Sequence, residues 1–177
     1  AGNGTATCLS KGGFNDSQLL KALSDKDEYV RAWAVQLICE DKSPSAAAMQ
    51  EFNRMAGEDP SAVVRLYLAS ALQRLNLEDR WGIAKALMSH AEDAQDHNLP
   101  KMIWYGAEPL VAKNVDRALA LASESRIPTI TRYIARRSVD ANAIETLIAH
   151  LGKNRESPAI LLEGMLDGLE GRRDIVT

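Results

Sequence analysis

Two stretches of this 177-residue chain carry side chains that could do chemistry. The first runs from His90 to Tyr105 and contains His90, Glu92, Asp93, Asp96, His97 and Asn98, then Trp104 and Tyr105. Imidazoles and carboxylates are ligands for divalent cations. The spacing of His90 and His97, with Asp93 and Asp96 between them, is no known metal motif, and no metal is assigned. The same residues suit a capping loop, in which Asp96 or Asn98 caps the helix that Pro100 starts. Capping and contact with a ligand or partner therefore both stand as readings of Asp93, Asp96 and His97. Trp104 lies about 100° around the helix from Ile103, on the side of Lys101 and Glu108. With Tyr105 it either forms an exposed aromatic binding surface or packs on the adjacent helix pair.

The second stretch is the basic row Arg132, Arg136 and Arg137. Such a row can hold an anion or an acidic peptide, or it can be a solvated helix face paired with Glu124 or Asp140. No Ser/His/Asp order, glycine-rich phosphate loop or paired glycosidase carboxylates can be argued, so no catalytic residue is assigned. An acid/base role for Asp93 or Asp96 would need a cleft.

The elements that must position these residues read as helices throughout. Asn15 or Asp16 can cap a first helix striped by Leu19, Leu20 and Leu23. Helices follow over 28–40, 44–57 (with Ser43 as cap), 61–75 and 79–90. The next begins at Pro100, and Pro109 should kink or end it. Further helices start at Asn114, at Pro128, after Asp140 and at Pro158. In the last, Gly164 and Gly168 suggest a close backbone approach. The order is ten helices in five antiparallel pairs, with no strand-period run and no internal domain boundary. Residues 1–14 form a flexible lead-in, 15–171 one helical domain and 172–177 a tail.

A repeat runs through the first half. Val30, Trp33, Ala34, Leu37 and Ile38 fall at offsets 0, 3, 4, 7 and 8, and Val64, Tyr67, Leu68, Ala71 and Leu72 repeat them 34 positions later. Arg31 and Arg65 follow the valines, with Asp27 and Asp59 upstream. A repeat of this period marks a helical solenoid. The Asp…Val-Arg pattern resembles the HEAT-repeat family, whose fold is a right-handed α-α superhelix. The resemblance implies a structural ladder of Asp27, Arg31, Asp59 and Arg65. Later units depart from it, since Trp104, Thr131 and Leu162 follow Ile103, Ile130 and Leu161.

The strings from Val30 to Ala34, Val64 to Arg74 and Asp96 to Gly106 also resemble the helical-repeat segment of large exported proteins of planctomycetes and their relatives. These are described as membrane-bound dehydrogenases, with a β-propeller ahead of the repeats and a c-type cytochrome domain after them. The similarity covers roughly residues 19–140. It implies a piece of a larger, exported, oxidoreductase-like protein, a view that the start at Ala1 rather than Met also suits. Neither a propeller nor a haem-binding CxxCH lies in this sequence, so no cofactor is assigned to it.

Composition is that of an ordinary globular protein and weighs against a nucleic-acid partner. The net charge is −3, whereas a nucleic-acid binder usually shows a basic surplus. No apolar run is long enough to span a membrane. Cys8 and Cys39 form no CxxC, and a bridge between them would need an oxidising compartment. Two functions remain. One is a non-catalytic scaffold or interaction module that contacts a protein or neighbouring domains. The other is a ligand- or nucleic-acid-binding enzyme of the HEAT-like DNA-glycosylase kind, using Asp93 to Tyr105. Because one helix pair cannot bury its apolar face alone, deleting the middle pair should unfold more than that pair. Circular dichroism of the deletion variant checks this through a loss of helix signal exceeding the deleted residues' share.

Overall fold

Capping side chains start the helices where the chain turns. In this computed structural model, which describes residues 13–40, 43–153 and 158–170, Asn15 opens α1 (Asp16–Ala22) through a capping box with Gln18. Asp27 caps α2 (Glu28–Ile38) by accepting from the Tyr29 N–H. Ser45, and not Ser43, caps α3 (Ala46–Glu58), so the helix begins two residues later than Pro44 suggests. Ser61 caps α4 (Ala62–Ala71), which tightens into a 3₁₀ turn over Leu72–Arg74. After α5 (Leu77–Met88) a second 3₁₀ turn, Ala91–Gln95, leads to α6 (Leu99–Lys113). Four more follow: α7 (Val115–Glu124), α8 (Pro128–Asp140), α9 (Ile144–Lys153) and α10 (Pro158–Leu169). The chain is all-α, with ten α-helices and no strand among the described residues.

Two local expectations need correction. Pro109 does not end its helix, since α6 runs on to Lys113. The absent proline N–H removes only the bond to the Tyr105 carbonyl one turn back. Asp140 does not cap a following helix. It is the last residue of α8, and Asn142 makes the turn at φ 58° before α9. Asparagine tolerates this left-handed backbone better than most residues. Cys39 is buried, while Cys8, the tail 172–177 and most of the lead-in lie outside the described residues.

The helices pack in two rows. Consecutive helices touch as pairs, and α2, α4, α6, α8 and α10 each contact the next member of their own row. The odd-numbered α3, α5, α7 and α9 do likewise. A single hydrophobic cluster runs between the rows from Leu19 to Leu161, with Phe52, Met55, Leu68, Leu72, Ile83, Leu87, Ile103 and Leu119 among its fully buried members. Burying each such side chain is worth about 1.5–3 kcal/mol.

Glycines set the closest approaches. A Cβ on Gly164 would lie 2.2 Å from the Arg132 carbonyl oxygen, and one on Gly168 2.7 Å from Val139 Cβ. Here α10 lies on the backbone of α8, the approach expected from the two glycines. Gly152, in α9, has no atom within 4 Å of a Cβ. Two substitutions should therefore move stability in opposite directions. Gly164→Ala forces the helices apart and should cost about 1–3 kcal/mol, whereas Gly152→Ala should gain up to about 1 kcal/mol of helix propensity. Urea unfolding midpoints decide between them.

Candidate functional site

The strongest polar interactions tie one helix pair to the next. Arg31, at the start of α2, forms a bidentate pair with Asp59 in the turn before α4, at 2.7 and 2.8 Å. Arg65, at the start of α4, does the same to Asp93 before α6, with both bonds at 2.6 Å. Their remaining Nη1 groups bond turn carbonyls, Asp25 O and Asp59 O respectively. The side-chain bonds to Asp59 and Asp93 raise the two guanidinium pKa values above the ordinary arginine value, chiefly by favouring the charged form. Glu28 also accepts a hydrogen bond from the Ser61 hydroxyl, another tie between the first two units.

This geometry revises the ladder. Each arginine reaches the aspartate of the following unit, 28 positions on, rather than the one preceding it in its own unit. Asp27 belongs to the helix cap. The position equivalent to Asp59 is Asp25: Asp25 Oδ1 accepts from the Asp27 N–H at 2.9 Å as Asp59 Oδ1 accepts from the Ser61 N–H at 3.0 Å. Asp25, Asp59 and Asp93 keep a strict spacing of 34, a signal present in the sequence but obscured by the nearer Asp27.

Asp93 is therefore a rung of the ladder. It is 3% exposed, as is Arg65, and the ion pair occupies both carboxylate oxygens. Asp96 accepts from the backbone N–H groups of Leu99 and Asn98, both at 2.8 Å, and these bonds hold its pKa below the ordinary carboxylate value. It thus caps α6. His90 donates through Nε2 to the Ala56 carbonyl at 2.9 Å and faces Glu92 through Nδ1. The Glu92 pKa is lowered by its own backbone N–H first and by His90 second. His97 is exposed. No group of three or more His, Cys, Asp or Glu among the described residues could hold a metal.

The remaining candidates converge. Trp104 and Tyr105 of α6 meet Tyr133, Arg136 and Arg137 of α8 in an open groove of about 380 Å³, with Lys101 and Asp140 on its rim. Trp104 is half-buried against Tyr133, their ring centroids 5.4 Å apart and the planes tilted by 50°. Tyr105 is 56% exposed. Trp104 therefore both packs on the next pair and contributes to an accessible aromatic wall.

The arginine row separates into two roles. Arg137 pairs with Glu108 of α6, and Arg132 pairs with Asp167 of α10 at 2.6 and 2.9 Å. These carboxylates lie on neighbouring helices and replace the expected partners Glu124 and Asp140. Glu124 instead pairs with Lys85. The Asp167 pKa is lowered by Arg132. Among the described residues, neither Arg136 nor Lys101 has a carboxylate within ion-pairing distance. A second groove, of about 590 Å³, shares Tyr133 and Arg136 and continues the surface toward Asp167. Sequence reading missed Lys101 and Tyr133 as site residues. Lys101 stands one helical turn before Tyr105, and Tyr133 one turn before Arg137, so helical spacing alone would have added both.

No family model, curated protein or solved structure matched this chain.

The two aspartates should behave differently when truncated. Asp93→Ala leaves a buried guanidinium without its partner, at a cost of about 3–5 kcal/mol. Asp96→Ala removes one cap, at about 1 kcal/mol. Urea denaturation of both variants gives the comparison, and equal costs would contradict these roles.

Proposed function

We propose that this chain is a HEAT-like α-α superhelical scaffold, a non-catalytic interaction module that docks a short acidic segment of a protein partner in the groove between α6 and α8. The observation that carries the reading is the convergence of Trp104, Tyr105, Tyr133 and Arg136 in one open groove, with no carboxylate among the described residues within ion-pairing distance of Arg136 or Lys101. An aromatic wall beside two cations that form no close ion pair among the described residues suits a peptide with an apolar side chain next to a carboxylate. The rungs of the ladder, the two helix rows and the 34-residue register support the HEAT-like part.

Charge favours a peptide over a nucleic acid. A long polyanion would meet the field of the whole molecule, which carries a net charge of −3, whereas a short acidic segment meets chiefly the groove. The glycosylase-like alternative also loses its carboxylates, because Asp93 is occupied by Arg65 and Asp96 by the start of α6. The resemblance to the repeat segment of exported oxidoreductase-like proteins suggests that the partner is a neighbouring domain of the same parent or a protein met outside the cytoplasm. No helix among the described residues is long and apolar enough to cross a membrane.

The test is calorimetric titration of the chain with a synthetic Glu-rich peptide carrying a single leucine, alongside its Gln-for-Glu counterpart. The acidic peptide should bind and weaken with added salt. Arg136→Gln should reduce its affinity on the order of ten-fold, equivalent to about 1.4 kcal/mol, without shifting the urea midpoint. Equal binding of both peptides, or preferential binding of a single-stranded oligonucleotide at low salt, would overturn the reading.

A further inference from the structure

Among the described residues, the first rung of the ladder is open. Asp25 occupies the place that Asp59 and Asp93 take in the next two units, with the same backbone bonds around it. Asp59 and Asp93 each receive a bidentate arginine from the preceding unit. Asp25 is exposed, and among the described residues its carboxylate receives no arginine hydrogen bond, Arg31 reaching only its backbone carbonyl.

The apolar surface beside it shows the same deficit. Val30 and Val64 share one residue type and one position in the 34-residue register. Val64 is 0% exposed, because α2 packs on α4. Val30 is 40% exposed, and Tyr29 and Trp33 beside it are exposed as well. Together with Phe14, Leu19 and Leu37 they line an apolar groove of about 400 Å³ on α1 and α2. An exposed apolar patch beside an unfilled carboxylate marks a surface built for a specific neighbour.

We propose that this edge of α1 and α2 is a docking site for an amphipathic helix of a partner, one that lays its apolar face on Val30 and Trp33 and presents an arginine to Asp25. The occupant is defined by continuity with the ladder: it must do for α2 what α2 does for α4. Its arginine follows an apolar anchor directly, as Arg31 follows Val30 and Arg65 follows Val64. A second copy stacked head to tail does not meet this requirement. The exposed leucines of α10, Leu162 and Leu166, belong to a helix without a single basic residue, so among the described residues no arginine of α10 follows an apolar anchor as Arg31 and Arg65 do. This site lies at the α2 end of the even-numbered row, separated by α4 from the groove between α6 and α8, and it stands independently of the function proposed for that groove.

The probe is the synthetic peptide of residues 61–75, which carries Val64, Arg65, Leu68 and Leu72 in the required pattern. It is titrated into the isotopically labelled full chain and followed by amide chemical shifts. Shifts are expected at Asp25, Tyr29, Val30 and Trp33. Binding should weaken about five-fold or more when the peptide carries Arg65→Gln or the chain carries Asp25→Asn. The asparagine keeps the oxygen that accepts from the Asp27 N–H, so this variant should fold as the parent does. Trp33→Ala, at an exposed position, should weaken binding by removing an anchor. The proposal is overturned by an absence of shifts, by shifts centred elsewhere, or by binding indifferent to both charge substitutions. Shifts at the same residues that depend on the concentration of the chain alone would assign the edge to a second copy and would overturn it equally.

Discussion

The pairing of an arginine from one helix pair with the turn aspartate of the next is the constraint from which the rest of the structure follows. Apolar burial alone would let neighbouring helices slide, because the hydrophobic effect has no direction. The bidentate pairs Arg31–Asp59 and Arg65–Asp93 supply direction. Each fork also bonds a turn carbonyl, so a single side chain fixes the start of its own helix and the position of the next unit. The second pair is almost wholly buried. Such a pair adds modest net stability against an apolar replacement, but leaving either partner alone is costly. Its contribution is therefore to register.

Beyond Asp93 the turn-based ladder stops, and α6 carries no arginine. The later units are tied differently. Arg137 of α8 reaches Glu108 on α6, Arg132 reaches Asp167 on α10, and the glycines of α10 bring its backbone against α8. Ties between helices, replacing ties to turns, place charged side chains along the same face as Trp104, Tyr105 and Tyr133. Two of three arginines are consumed as structure, which leaves Arg136 with Lys101 to give the groove its positive character.

Much of the fold was legible in the sequence because helical periodicity and capping are local. The Leu, Ala and Ile stripes, the prolines at helix starts and the caps at Asn15 and Asn114 place the elements with errors of a few residues. Non-local facts were not legible in the same way. The stripe of α2 reads like that of α4, yet Val30 and Trp33 are exposed while Val64 is buried, because α2 packs on α4 and no described helix packs on α2 in the same way. Asp93 could be read as a capping or a ligand-contacting residue, but not as half of an ion pair, because its partner lies 28 residues upstream on another helix. The candidate residues at 104–105 and 132–137 were each visible, but their meeting depends on α6 packing against α8. No local pattern encodes that contact.

The claim that register is held by charged rungs is tested most directly by a double-mutant cycle across the buried pair, with Arg65→Met, Asp93→Leu and the two combined, measured by urea unfolding. The account predicts that each single variant is less stable than the combined one, since each strands a buried charge, and that the coupling energy exceeds about 1 kcal/mol. Additive single effects, with the combined variant the least stable of the three, would contradict it.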